Sequence, residues 1–300
     1  MQETIQGKQF TWYHITKLAE EDVSFLRESF QFNALDVEDV TIDSPIPKLD
    51  VYKHYVFAVF HIPIFAQDGR LHTDTLAIFF GADYIVTVTK RPIAAVEKFF
   101  SRAKQNPKFR AANLGKGAGF ALYKLLHYTF YHTQSLTADL ARQVGELEER
   151  VYKHQTRETT RLLAFLRRNV LFFRTGLDPE RSMVTLLGNT RRPFIAEDLP
   201  VYFDDLRDLL DSMWTVTENL KQVVDGLFDV NESLLAHKTN HIVTIFTAIA
   251  AALMPPTLVA GIYGMNVTWL PFINQPWAIV FLFVLSLVSF FGVIYWMRRE

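Results

Sequence analysis

The sequence contains no cysteine, which removes disulfides, zinc–thiolate centres and thiol catalysis from consideration. It also lacks a surplus of either charge, with 31 Lys and Arg against 32 Asp and Glu. A nucleic-acid surface needs basic excess to neutralise phosphates, so no such partner is expected. No basic-then-apolar leader lies between Met1 and Ile15, and no cleaved export signal is expected. The most informative lack is local. Between Thr239 and Met297 there is no Asp, Glu, Lys or Arg.

That charge-free stretch is about twice what one bilayer crossing needs, since roughly 20 apolar residues span about 30 Å. It divides into a first span, 242–263, and a second, 277–297, joined by an uncharged connection, 264–276. Tyr263, Trp269 and Trp277 cluster at one end, and Tyr295 and Trp296 at the other, as interfacial aromatic belts do. Lys238 precedes the first span, and Arg298 and Arg299 follow the second in the tail 298–300. The cation bias predicts a multi-pass protein of the cell (inner or plasma) membrane, with the lipid bilayer around it and both termini cytoplasmic.

Before residue 238 the chain reads as an α+β cytoplasmic domain. Residues 1–92 favour strands with helices between. The clearest strand runs are Tyr55–Ile62, Thr75–Phe80 and Tyr84–Thr89, rich in β-branched and aromatic residues. Ser44-Pro45-Ile46-Pro47 and Asp68-Gly69 read as turns. Residues 93–197 carry helical periodicity with a hairpin, as in Leu136, Leu140, Val144, Leu147 and Val151. Asp198 and Pro200 mark a helix start. The segment 198–263 reads as one long stalk helix continuing into the first span, its part up to Met254 alone roughly 50 residues or about 80 Å.

The first span has a polar and small face. At 3.6 residues per turn, Asn240, Val243 or Thr244, Thr247, Ala250 or Ala251, Met254, Thr257 and Gly261 align. Polar groups in hydrocarbon seek water or a partner, so the face reads as a pore lining. A close helix–helix seam is the other reading of small residues. The second span is apolar nearly all round and suits lipid. Two helices cannot enclose a pore, so several copies are required.

At Tyr263-Gly264-Met265-Asn266 the chain resembles the CorA / Mrs2 / ZntB superfamily of divalent cation transporters. The likeness extends through Met254-Pro255-Pro256-Thr257-Leu258, Ala260–Ile262, Asp229–Leu234, Lys238-Thr239-Asn240 and Tyr202–Asp208. Near the front it includes Ala34–Val40, Pro47-Lys48-Leu49 and Tyr52–Tyr55. The resemblance implies a funnel-shaped homo-pentamer with the α/β domain in the cytoplasm. Its pathway would run past Asn240, Val243, Phe246, Met254, Thr257 and Gly261, with Val243, Phe246 and Met254 as hydrophobic constrictions. Gly264, Met265 and Asn266 would form the outer mouth, Asn266 holding Mg²⁺ through its water shell, which that ion surrenders reluctantly. Mg²⁺ would be both cargo and cytoplasmic regulator, and no organic cofactor is implied. Asp205 matches the family's regulatory acid on the stalk helix. Its partner would be an acid of the N-terminal domain, with Asp74 and Asp83 as candidates. The chain departs from the family pattern in having no acid from Val267 to Pro276, and basic residues Lys153 and Arg157 with His154 at the helical tip. Cation capture at the mouth is then weaker.

His237 and His241 lie one helical turn apart, a spacing that binds Zn²⁺, Co²⁺ or Ni²⁺. A ZntB-like zinc transporter is therefore the near alternative, and a non-conducting, membrane-tethered cation sensor a further one. Enzyme readings carry little. Gly115–Gly119 lacks the Lys-Ser/Thr ending of a phosphate loop, and Glu148-Glu149 and Glu20-Glu21-Asp22 read as solvated helix faces. No Ser/His/Asp order is evident.

Overall fold

The computed structural model describes residues 2–42, 47–153, 156–192, 199–265 and 275–297. Contacts divide the chain into two units, Met1–Phe228 and Asp229–Glu300.

The first unit is built on a six-stranded sheet with the order β1-β2-β6-β5-β4-β3. Its strands are β1 (Gln2–Gln6), β2 (Thr11–Thr16), β3 (Lys48–Val51), β4 (Tyr55–Phe65), β5 (Leu71–Gly81) and β6 (Tyr84–Thr89). The β2–β6 pair is parallel and the others antiparallel. All three strand runs read from composition are present, and β4 and β5 run longer than their apolar cores. The Asp68-Gly69 turn is confirmed, with Gly69 at φ 76°. Ser44–Ile46 lie outside the described residues.

Both faces of the sheet are covered, which is why β4, β5 and β6 read as continuous apolar runs rather than alternating ones. On one face Tyr55, Phe57, Val59, Phe79 and Val86 pack with Leu26 of α1 (Glu20–Phe30) and Val37 of α2 (Ala34–Ile42). On the other, Trp12 meets Phe99 and Phe100 of α3 (Ala94–Gln105), with ring centroids 5.9 and 4.9 Å away. After α4 (Pro107–Leu114) come α5 (Ala118–Lys153) and α6 (Arg157–Asn189), α5 sending Phe130 to within 6.1 Å of Phe60. Thr156 caps α6 by accepting from Thr159 N–H at 3.2 Å.

The scattered front-end motif residues converge in one cluster. Asp36 is fully buried and accepts from Tyr52 Oη at 3.1 Å and Tyr55 Oη at 2.8 Å. Lys48 Nζ stands 2.7 Å from Asp39 Oδ2 and 2.7 Å from Asp50 Oδ2. Burial raises the Asp36 carboxyl above its ordinary range, against the two phenol hydrogen bonds that lower it. The block thus ties α2 to β3 and β4.

Beyond Val59, strand β3 no longer covers β4. There His61 N–H points to the open side and finds Glu180 Oε1 of α6 at 2.7 Å. Alternate strand residues face the same side, so Pro63, with no N–H to offer, falls where a donor would have no strand partner. Glu180 is buried, its Oε2 unpartnered among the described residues.

Helix α7 runs Leu199–Tyr263, 65 residues without a break, through Pro255 and Pro256. Asp198 lies outside the described residues. In the second unit α7 contains a stretch of mean hydropathy 2.0, long enough to cross a membrane and almost wholly exposed. It is followed by the apolar helix α8 (Pro276–Met297).

Candidate functional site

The exposed stretch of α7 is not uniform. Ala248, Ala252, Pro256, Val259 and Tyr263, at steps of four, four, three and four, are its sheltered side, with Ala252 buried. On α8 the sheltered residues, among those described, are Leu282, Ser286, Ser289 and Phe290. Small residues on both helices permit close approach. The sheltered line of α7 is thus the Ala248–Ala252 stripe.

The seven candidate pathway residues lie elsewhere. Asn240, Val243, Phe246, Thr247, Met254, Thr257 and Gly261 are all exposed. At about 100° per residue, they fall within about 60° of the line opposite Ala252. A shallow groove runs along this face past Thr247, Ala250, Met254, Thr257 and Gly261. Thr257 Oγ1 donates to Leu253 O at 2.7 Å, which engages its proton and leaves oxygen lone pairs outward. Pro255 and Pro256 bring no N–H, so they free the carbonyls of Ala251 and Ala252 from the helical ladder. Among the described residues nothing stands within 4 Å of a Cβ placed at Gly261. Gly264 N–H donates to Ala260 O at 2.9 Å and Met265 N–H to Ile262 O at 3.2 Å, closing the helix. A Cβ at Gly264 would approach Ala260 O to 3.0 Å, so a bare backbone suits that closure. Asn266 lies outside the described residues.

Asp205 is exposed near the start of α7, but it is not alone. Its Oδ2 accepts from Tyr123 Oη of α5 at 2.7 Å and lies 3.5 Å from His127 Nε2. Tyr123 stacks on Tyr202 at 5.2 Å. Lys124 and Lys116 direct their ammonium groups over Phe120, at 5.4 and 4.8 Å. Burial and the Asp205 hydrogen bond raise the Tyr123 phenol above its usual range. Burial lowers His127, with Asp205 opposing and Lys124 reinforcing. Residue spacing alone does not single out Tyr123 and His127. Their signal is an i, i+4 pair on one helix face, visible only once α7 is known to pack there.

The two proposed partners of Asp205 differ. Asp74 is buried on β5, 3.4 Å from Arg91 Nη1, whereas Asp83 is exposed before β6. No described hydrogen bond or ion pair joins either to Asp205. His237 and His241 are both exposed. Among the described residues no cluster of three or more His, Asp or Glu is arranged to hold a metal.

The sheet does assemble a hydroxyl–imidazole–carboxylate chain that residue order does not reveal. Thr87 Oγ1 is 2.9 Å from His14 Nδ1, and His14 Nε2 is 3.0 Å from Glu97 Oε1. Nucleophilic catalysis needs such a hydroxyl open to substrate. Thr87 is fully buried and accepts from Trp12 Nε1 at 2.9 Å, so the chain is a packing device.

Comparison with known proteins bears on the whole length. The family described as CorA-like Mg²⁺ transporter protein matches residues 7–299. A cobalt/magnesium transport protein CorA of Thermotoga maritima is 27% identical over 295 residues, 97% of this chain and 83% of that one. A zinc transport protein ZntB of Pectobacterium atrosepticum is 21% identical over 224 residues, 74% of this chain and 66% of its own. The complete structure of the CorA magnesium transporter from Methanocaldococcus jannaschii shares the fold. It has a TM-score of 0.82 at 23% identity, covering 97% of this chain and 91% of that one.

Proposed function

The chain belongs to the CorA-like Mg²⁺ transporter family, and from that premise we propose that it carries divalent cations, Mg²⁺ first, through a homo-pentameric membrane pore. The family is one of transporters, and no catalytic role is assigned. The pore is lined by the exposed face of α7, with 242–263 and 277–297 crossing the bilayer and both termini in the cytoplasm. One observation carries this reading. The face bearing Asn240, Thr247, Thr257 and Gly261 is opposite the sheltered Ala248–Ala252 stripe of the same helix. In lipid those polar side chains would be costly, and a ring of copies turns them toward water. The number five comes from the resemblance.

Gly264, Met265 and Asn266 form the outer mouth, where an amide ring holds Mg²⁺ through its waters. Val243, Phe246 and Met254 gate by dewetting. Cytoplasmic Mg²⁺ at Asp205 holds the pore shut across subunits. A bridging acid must reach solvent, a requirement that Asp83 meets and that Asp74, buried beside Arg91, does not. Zinc is the second reading, supported by the exposed His237 and His241.

The absence of cysteine makes the test clean. Single cysteines at Met254, Thr257 and Gly261 in liposomes should react with a charged thiol reagent and lose Mg²⁺ flux. Ala252→Cys should be spared. Block at Ala252 with sparing at Thr257 and Gly261 would place the pathway on another face.

A further inference from the structure

We propose that the end of the α5–α6 hairpin binds the headgroups of anionic lipids through Arg150, Lys153, Arg157 and Arg161. The contact rests on the reading that 242–263 crosses a bilayer with the first unit in the cytoplasm.

Helix α6 carries two lines of arginine with different fates. Arg167, Arg174 and Arg181 recur every seven residues, and each meets an acid of α7: Asp225, Glu218 and Asp211. Arg157, Arg161 and Arg168 form a second line, within about 40° of one another at about 100° per residue. All three are exposed, and no described ion pair engages them. Arg150, near the end of α5, is likewise exposed and without a described ion pair. Lys153 has Glu149 at 3.1 Å, but the two are 67% and 73% exposed, and such a pair holds its charges loosely.

Acids do little to cancel this end. From Arg150 to Arg161 there are four cations and one acid, Glu158. Glu158 lies in the first turn of α6, where the helix dipole answers its charge. Glu148, a turn further from the end on α5, has neither a helix N-terminus nor a described ion pair. Tyr152, 58% exposed, stands among the cations. Basic residues beside an amphipathic ring are what a cytoplasmic bilayer interface favours.

The helix lengths allow the contact. As numbers fall along α6 they rise along α7, so the hairpin projects past the Arg167–Asp225 rung in the direction in which α7 leads to its C-terminus. Arg157 is ten residues beyond Arg167, about 15 Å. From Asp225 the unbroken helix takes seventeen residues to reach residue 242, about 25 Å. The difference of about 10 Å is comparable with a headgroup layer of about 5–7 Å and a Debye length of about 8 Å. Each cation near an anionic leaflet adds about a fivefold preference for it. Arg168, eleven residues back from Arg157 on the same line, lies about 16 Å too far to share in this.

The chain has no cysteine, so Tyr152→Cys carries a single fluorophore on the full-length protein. The labelled protein is reconstituted into liposomes whose lipids bear a headgroup-attached nitroxide quencher, in phosphatidylcholine with or without phosphatidylglycerol. Quenching should be severalfold greater with phosphatidylglycerol and lose that excess in high salt. Arg157→Gln/Arg161→Gln should remove most of the excess, and Arg168→Gln should leave it. Equal quenching in the two lipids would overturn the proposal, as would an excess untouched by the double change or equally lost in Arg168→Gln. An excess abolished by inorganic phosphate, but not by chloride at equal ionic strength, would also overturn it and mark a site for free phosphate. Flotation of the protein with the liposomes reports insertion separately. A chain that does not float contradicts the spans themselves; one that floats without excess quenching contradicts only the hairpin contact.

Discussion

Arg167 on α6 donates through Nε to Asp225 on α7 at 2.9 Å. The contact recurs seven residues along at Arg174–Glu218 and again at Arg181–Asp211, the last at 2.5 Å. As numbers rise by seven on α6 they fall by seven on α7. The helices are thus antiparallel with a heptad register. Arg167 also lies over Phe228, and Arg174 and Arg181 over Trp214.

The ladder should set register more than stability. Its rungs are partly exposed, so each contributes about 1 kcal/mol or less. Glu218→Arg, facing Arg174, should lower the melting temperature, and adding Arg174→Glu should recover most of the loss. Equal losses that simply add in the double variant would mean the two side chains do not interact.

Asn169 should matter more than any rung. Its Nδ2 donates to Gly69 O at 2.9 Å and its Oδ1 accepts from Leu71 N–H at 3.2 Å, clamping the β4–β5 turn onto α6. Asn169→Leu strands buried backbone groups at about 1–3 kcal/mol each. Thermal melting and faster hydrogen exchange at the Leu71 amide would register it; wild-type exchange there would contradict the clamp.

Glu180 should make stability fall with rising pH. Burial pushes its carboxyl up to about 8, with the His61 N–H partly opposing. The folded form keeps its proton between the ordinary carboxyl range and that value, while the unfolded chain has lost it. Stability is therefore full below the unfolded pKa and declines until pH passes about 8, by up to about 1.4 kcal/mol per unit. Glu180→Gln keeps an acceptor for His61 N–H and should flatten this part of a melting profile from pH 5 to 9. Parallel profiles for the two proteins would refute it.

Asp205→Ala should leave the pore open at cytoplasmic Mg²⁺ levels that shut the wild type. Flux measured against internal Mg²⁺ reports this as a shift of the inhibitory concentration upward. An unshifted curve would remove Asp205 from regulation.

The long helix, the apolar helix that follows it and the central strands are legible because each rests on a local signal: absent charge, unbroken periodicity, β-branched runs. The exposed polar face of α7 is also local, being a helical repeat. Other features depend on long-range packing. Asp36 and Lys48 lie twelve residues apart with no pattern to pair them, yet they share one cluster through Asp39 and Asp50. Glu180 looks like any helical acid until β3 is seen to stop short of His61. His127 is one histidine among nine until α5 lays it beside Asp205. Asp74, a candidate by residue type, is seen to lie buried 3.4 Å from Arg91 Nη1 only once β5 is folded.

The most direct test of the account is Mg²⁺ uptake into liposomes holding an ion-sensitive dye, comparing wild type with Asn266→Ala and repeating with Zn²⁺. The account predicts Mg²⁺ entry in the wild type and its loss in a variant that still assembles. Entry of Zn²⁺ alone, or of neither ion into liposomes bearing the assembled wild type, would contradict it.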